Sequence, residues 1–305
     1  MINLISNLGY FANRQNIPLG YSFKIDSNNP GPKIAITVAI HGNENVGIDA
    51  VMALDNQLNG IKFGSVVVIV GNPMAYLLQT RFLHSNLNRC FSIDTIDSVD
   101  NTVNNYESCR ALEITNFLRE YNPDFLLDLH SVSIGDVQME IQDSNSIVSN
   151  GLKDKSVMQI IVRDKVIDGG LIQLPFLKSS LAVECGNHVS TKGLEIAKNK
   201  IMHTLFYYKM IDDSLFDQQA SRSAVNSSIV KTNYTYSLIA PIIPRSGFKF
   251  VRDDVDSEMF IKQGEVYAVY EGGEMIAPID CYLWVPCTNP KLTDTDAGFL
   301  AIRVD

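Results

Sequence analysis

Residues 33–44, KIAITVAIHGNE, decide the architecture: an apolar, β-branched run that breaks off into histidine, glycine and two polar residues. The run 33–40 reads as a buried strand ending at His41. Beyond Glu44, the apolar residues Val46, Val51, Met52, Leu54 and Leu58 recur at roughly helical spacing, predicting a helix over 46–58. The same alternation continues downstream. Residues 65–70 read as a strand stopped by Gly71-Asn72-Pro73, and 106–121 as a helix with Ala111, Ile114, Phe117 and Leu118 on its core face. Residues 125–129, 157–162 and 180–183 are further strand candidates, and 191–210 a helix. Apolar strands alternating with amphipathic helices predict an α/β fold, with a mainly parallel or mixed sheet flanked by helices. In such sheets ligands bind outside the carboxyl ends of the strands. His41, Asn72, His130 and Glu184 all stand at such ends, which brings them together before any motif is considered.

The pattern changes after residue 212, so the expected division is 1–212 for the α/β domain and 213–305 for a smaller, β-rich C-terminal domain. Residues 217–224 read as a linker. Short strand-like pieces follow at 248–251, 265–270, 281–285 and 299–303, with Gly272-Gly273 as a hairpin signal. Hydrophobic residues make up 46% of the 305, enough for a sizeable core. A net charge of -9 argues against nucleic acid as a partner, because no basic surplus exists to displace counterions from phosphates. The start has no basic segment leading into an apolar stretch, and no apolar run is long enough for a bilayer, so neither secretion nor membrane insertion is expected. Five widely spaced cysteines without a C-x-x-C pair suit a reducing cytoplasm.

His41 and Glu44 are three residues apart in a turn leaving a strand, with Gly42 giving the turn backbone freedom. Both side chains can face one cation. His130, at the end of another apolar strand, supplies a third ligand, and two nitrogens plus a carboxylate leave a fourth position for water. Taken alone, H-x-x-E is as well explained as a chance tetrapeptide, and His130 as a hydrogen-bonded histidine. Two ligand sets at strand ends of one domain favour the metal site.

His41-Gly-Asn-Glu-Asn-Val-Gly47 resembles the first zinc motif of the succinylglutamate desuccinylase/aspartoacylase family, relatives of the zinc carboxypeptidases. The resemblance continues through Asn72-Pro73-x-Ala75, Arg81-Phe82, Asn86-Leu-Asn-Arg89 and Tyr106-Glu107 with Arg110-Ala111. It ends with Asp128-Leu-His130-Ser131 and Val183-Glu-Cys-Gly186. These motifs fall in family order over about residues 35–190. The resemblance implies one zinc ion per chain on His41, Glu44 and His130, with Glu184 as general base and then acid. It implies that Arg81 steadies an oxyanion and that Asn88 and Arg89 grip a substrate carboxylate. Asp128 either orients a ligating histidine or holds a local turn. His84, His188 and His203 match no ligand position and are expected to be ordinary surface or helix histidines, with Cys185 a buried bystander.

The chain departs from the family at Asn86, where the motif usually has Asp, and upstream of Glu184. There aspartoacylases carry another substrate-binding arginine, whereas this chain has Gln173-Leu-Pro-Phe-Leu-Lys178. The tyrosine and lysine of the aspartoacylase tail have no counterpart in 288–295. The expected function is therefore zinc-dependent hydrolysis of a linear amide in a small, carboxylate-bearing N-acyl amino acid. The amino acid need not be aspartate, and a homo-oligomer is allowed. A zinc carboxypeptidase or amidase acting on a short peptide is the alternative, favoured by a broad open cleft. A scaffold that has lost catalysis is disfavoured by the complete set of ligands, Glu184 and Arg81.

Overall fold

The computed structural model describes residues 2–92, 105–133, 137–163, 166–188, 190–212, 234–288, 290 and 296–304. The linker expected at 217–224 lies outside the described residues.

Helix α1 (Ile2–Arg14) and strand β1 (Ser22–Asp26) lead into β2 (Lys33–Val38). Then come α2 (Val46–Ala53), α3 (Asp55–Asn59), β3 (Ser65–Val70), α4 (Pro73–Leu78), α5 (Tyr106–Tyr121) and β4 (Phe125–Val132). The α/β part closes with β5 (Gln138–Asp143), β6 (Met158–Val162), β7 (Ser180–Asn187) and α6 (Thr191–Tyr207). The remaining strands are β8 (Thr235–Pro241), β9 (Lys249–Phe250), β10 (Met259–Ile261), β11 (Val266–Tyr270), β12 (Gly273–Ile276), β13 (Cys281–Trp284) and β14 (Phe299–Arg303).

Eleven strands form one mixed sheet in the order β1-β3-β2-β4-β7-β5-β6-β8-β14-β13-β10. Its centre, β3-β2-β4-β7, is parallel, as expected of strands that are apolar on both faces. Alternate residues go to opposite layers. Ile34, Ile36, Val38, Leu127, Leu129, Leu181 and Val183 pack under α1, α2 and α6. Ala35, Val67, Ile69, Leu126 and Ala182 pack against α5 and the segments around Leu87 and Leu171. Each of these fully buried Ile, Leu or Val side chains contributes ~1.5–3 kcal/mol, so the parallel centre carries much of the core. The four C-terminal strands β8, β14, β13 and β10 extend the same sheet, while β9, β11 and β12 form a separate antiparallel sheet. The Gly272-Gly273 signal is realised as the β11–β12 hairpin, with Tyr270 opposite Gly273. Among the described residues no helix is long and apolar enough to cross a membrane.

Several boundaries differ from the sequence reading. The strand into His41 stops at Val38, because Ala39 takes a left-handed φ of 49° that turns Ile40 and His41 out of the strand. The helix expected over 46–58 is two helices, broken where Leu54 leaves helical geometry. Helix α6 ends at Tyr207, ahead of a left-handed Lys209. Strand β5 and helix α1 were not expected at all.

Candidate metal centre and active site

His41 and Glu44 sit in the turn after β2, and His130 near the carboxyl end of the adjacent β4. The turn is pinned by the amide of Gly42 donating to the Arg81 carbonyl at 3.1 Å. A Cβ at Gly42 would come within 2.1 Å of the Ala75 carbonyl carbon, so glycine is needed for close approach to α4 as much as for freedom. The three side chains are buried and offer ligand atoms within 4.8 Å of one another, the only such group among the described residues.

The hydrogen bonds around the group say what it can hold. His41 Nδ1 is 2.7 Å from Glu44 Oε1, and His130 Nδ1 is 2.9 Å from Glu44 Oε2. The outer nitrogens face acceptors: His41 Nε2 is 3.0 Å from Asn86 Oδ1, and His130 Nε2 is 2.7 Å from Asp128 Oδ2. The Asn88 amide, 2.9 Å from Asn86 Oδ1, fixes that atom as the oxygen. Thr37 donates from the neighbouring strand to Asp128 Oδ1 at 2.6 Å. With both Nε2 atoms donating outward, neutral rings would turn Nδ1 lone pairs onto Glu44 lone pairs. A cation between them relieves this clash, and at His130 a proton can be that cation. Burial and the nearby Arg81 charge lower the His41 pKa to about 4, so a proton does not serve there near neutral pH. A divalent metal ion could, and two imidazoles with a carboxylate are a donor set that would suit zinc with one position open. Burial opposes charge at Glu44 and His130 alike. The two histidines nevertheless hold the Glu44 carboxyl well below its usual range, while Asp128 and Glu44 hold His130 well above its own.

Glu184 stands directly across from His130 in the β4–β7 register, on the same face. Its Oε2 is buried with no donor among the described residues. Burial, opposed by His130 and reinforced by the Glu44 charge, raises its carboxyl to about 7. Arg81 Nη1 is 3.4 Å from Glu44 Oε1, with the side chain 44% exposed at the rim. Asn88 Oδ1 accepts from the Leu171 amide at 2.9 Å. Arg89 donates to Asp296 Oδ2 and to the Asn88 carbonyl, both at 2.7 Å. One cavity of about 230 Å³ is lined by every predicted site residue: His41, Glu44, Arg81, Asn88, Arg89, Asp128, His130 and Glu184. That is far more than the ~10–15 Å³ a single water needs, so the space suits an organic ligand.

The loop carrying Arg81 and Asn86 is held from behind by Glu107, which is fully buried at the start of α5. Its carboxylate accepts from the amides of Leu83 (2.7 Å), His84 (3.2 Å) and Ser85 (3.4 Å), and from Asn72 Nδ2 (3.2 Å). Glu107→Gln sets an NH2 group against these donors and should lower unfolding free energy by ~1–3 kcal/mol. Urea unfolding checks this; a loss under ~0.5 kcal/mol would mean the loop is held elsewhere.

Residues 30–145 match the sequence pattern of the succinylglutamate desuccinylase/aspartoacylase catalytic domain. Over that segment the chain resembles the family. A probable aspartoacylase of Trichodesmium erythraeum is 35% identical over 106 residues, 33% of this chain and 36% of the relative. An N-acyl-aromatic-L-amino acid amidohydrolase (carboxylate-forming) B of Danio rerio is 30% identical over 108 residues, 33% of this chain and 34% of the relative. The chain thus spans about a third of the length of these curated relatives. The crystal structure of a succinylglutamate desuccinylase from Vibrio cholerae shares the fold, with a TM-score of 0.66 at 16% identity over 93% of this chain and 86% of that one.

The family segment contains His41, Glu44, Arg81, Asn88, Arg89, Asp128 and His130, but not Glu184, whose place beside His130 comes from strand pairing. Asp128 meets the outer nitrogen of His130, a contact that suits the orienting reading of Asp128. His188, read as an ordinary histidine, lines the cavity with Nδ1 2.8 Å from Ser131 Oγ. Its closeness depends on how β7 ends against β4, and no local pattern announces it. Lys178, the nearest cation upstream of Glu184 in sequence, is 61% exposed and faces Asp124 at the opposite end of β4.

Proposed function

We propose that the chain is a zinc-dependent amidohydrolase that cleaves the linear amide of a small, carboxylate-bearing N-acyl amino acid. The observation that carries this reading is the buried His41–Glu44–His130 group with the undonated Glu184 carboxylate beside it in one cavity. Zinc bound by these three residues would supply a Lewis acid that acidifies water and polarises the scissile carbonyl.

Glu184, raised toward neutrality, removes a proton from the attacking water and returns it to the departing amine nitrogen. Arg81 reaches the cavity from the rim and stabilises the negative charge that develops on the carbonyl oxygen. Asn88 and Arg89 meet the substrate carboxylate, with Arg89 oriented by Asp296. Asp128 and Asn86 keep both rings turned with Nδ1 toward the centre. Leu238, Trp284 and Phe299, from the C-terminal region 213–305, wall the far side of the cavity. That enclosure suits a small substrate better than a peptide, and gives the region a part in the site as a smaller domain. Cys90, Cys109, Cys185 and Cys281 are free thiols, which suits a cytoplasmic protein.

The test is amine release from a panel of N-acyl amino acids by the zinc-loaded protein, with metal content measured in parallel. About one zinc per chain and release from at least one compound are expected; no bound zinc after loading, or no release, overturns the reading. Asp128→Asn is expected to weaken zinc binding ~10–100-fold, since it loosens the anchor of His130. Competition with a chromophoric chelator reads this, and unchanged affinity would reduce Asp128 to a structural role.

A further inference from the structure

The face of the sheet that carries His130 and Glu184 continues across β5, β6, β8 and β14 as hydrocarbon. Met139 pairs directly with Glu184, and Ile141 with Ala182, so both point to the cavity side. Ile160 and Val162 follow on β6, and Leu238 and Phe299 beyond them. All six line the cavity, and all but Ile141 are buried in one cluster. Among the described residues, Arg81 and Arg89 are the only lysines or arginines that line it. Arg89 already faces Asp296 at 2.7 Å, so its charge is balanced within the protein. Trp284 lines the cavity too, and its buried Nε1 has no acceptor among the described residues. Arg89 stands 5.9 Å from the centre of the Phe299 ring with its charge matched by Asp296, so among the described residues no unpaired cation faces the rest of the floor.

Resting on the deacylase reading, we propose that the floor built by Met139, Ile141, Ile160, Val162, Leu238 and Phe299 is the specificity subsite. It takes a bulky apolar group of the substrate, branched or aromatic, and rejects a second carboxylate. A second carboxylate placed there meets methyl and methylene groups and loses its water without a partner. An apolar group gains from the same burial. The Trp284 N–H allows one neutral acceptor, such as a hydroxyl, at the edge of that group.

Binding separates this proposal from turnover. Zinc-loaded Glu184→Gln protein is titrated calorimetrically with N-acetyl-L-phenylalanine and N-acetyl-L-aspartate. The phenylalanine compound should bind at least tenfold more tightly; equal or tighter binding of the aspartate compound, or no binding of either, overturns the subsite. Val162→Thr, which keeps the side-chain shape and adds a hydroxyl to the floor, should narrow the ratio about fivefold. An unchanged ratio places the apolar group elsewhere and also overturns it. If the apolar compound binds preferentially while the unsubstituted protein releases amine from no member of the panel, the subsite stands and the deacylase reading falls.

Discussion

His130→Ala should leave the protein without a stoichiometric metal ion and without measurable turnover. His130 supplies one of three candidate ligand atoms among the described residues, and its Nε2 is tied to Asp128. Removing it takes away a ligand and also the anchor behind that ligand. The loss must therefore exceed the ~10–100-fold that removing the anchor alone costs. The substitution has a second consequence in the metal-free protein. Glu44 and Asp128 are both buried, and each faces a nitrogen of His130. Without the ring, Asp128 keeps Thr37 and Glu44 keeps His41, but the shared positive partner is gone. Removing one partner of a buried ion pair costs ~3–5 kcal/mol. Metal analysis and thermal unfolding, each with and without added zinc, separate the two effects. A variant that binds zinc normally would remove His130 from the centre.

Glu184→Gln is the complementary case, with zinc retained and turnover lowered by ~10²–10⁴. The amide keeps the size and polarity of the side chain but cannot accept a proton. Glu184 touches none of the three ligands by hydrogen bond among those described, so the metal site should survive. The pH profile gives a sharper signature. A base works ionised, so activity falls as pH drops through its pKa. Burial, with the Glu44 charge, lifts that pKa to about 7 in the metal-free protein, and a bound cation beside it pulls the other way. The acid limb of kcat/KM is expected below about 7 and should vanish in the residual activity of the variant. Near-normal turnover, or the same limb in the variant, would take Glu184 out of the reaction.

The parts of the fold that were readable in sequence are those whose burial is symmetric. Strands β2, β3 and β4 are covered on both faces, so apolar residues dominate them, although β4 runs on through Asp128, His130 and Ser131 to Val132. Strand β5 was missed for the opposite reason. Gln138, Glu140 and Gln142 alternate with Met139 and Ile141 and resemble a solvent-facing edge. Yet Glu140 is buried, because Lys200 of α6 meets it from the other layer and Gln159 donates to it from β6. A charge becomes tolerable inside only when a partner distant in sequence arrives to match it. Helix α1 carries Leu4, Leu8 and Phe11 at helical spacing, a local signal present in the sequence.

The candidate site divides in the same way. From His41-Gly-Asn-Glu44 and Asp128-Leu-His130 the sequence by itself determined which donors exist and that strand ends would present them, because strand termination and ligand chemistry are local properties. Only the tertiary structure decided what surrounds those donors. It turned Nδ1 of both histidines toward Glu44, set Glu184 opposite His130, and brought Asp296 to Arg89 across 207 positions of chain. It also carried the face of the metal group outward over an apolar floor drawn from both halves of the chain. Charge balance and enclosure depend on what approaches from a distance, and no local pattern encodes that approach.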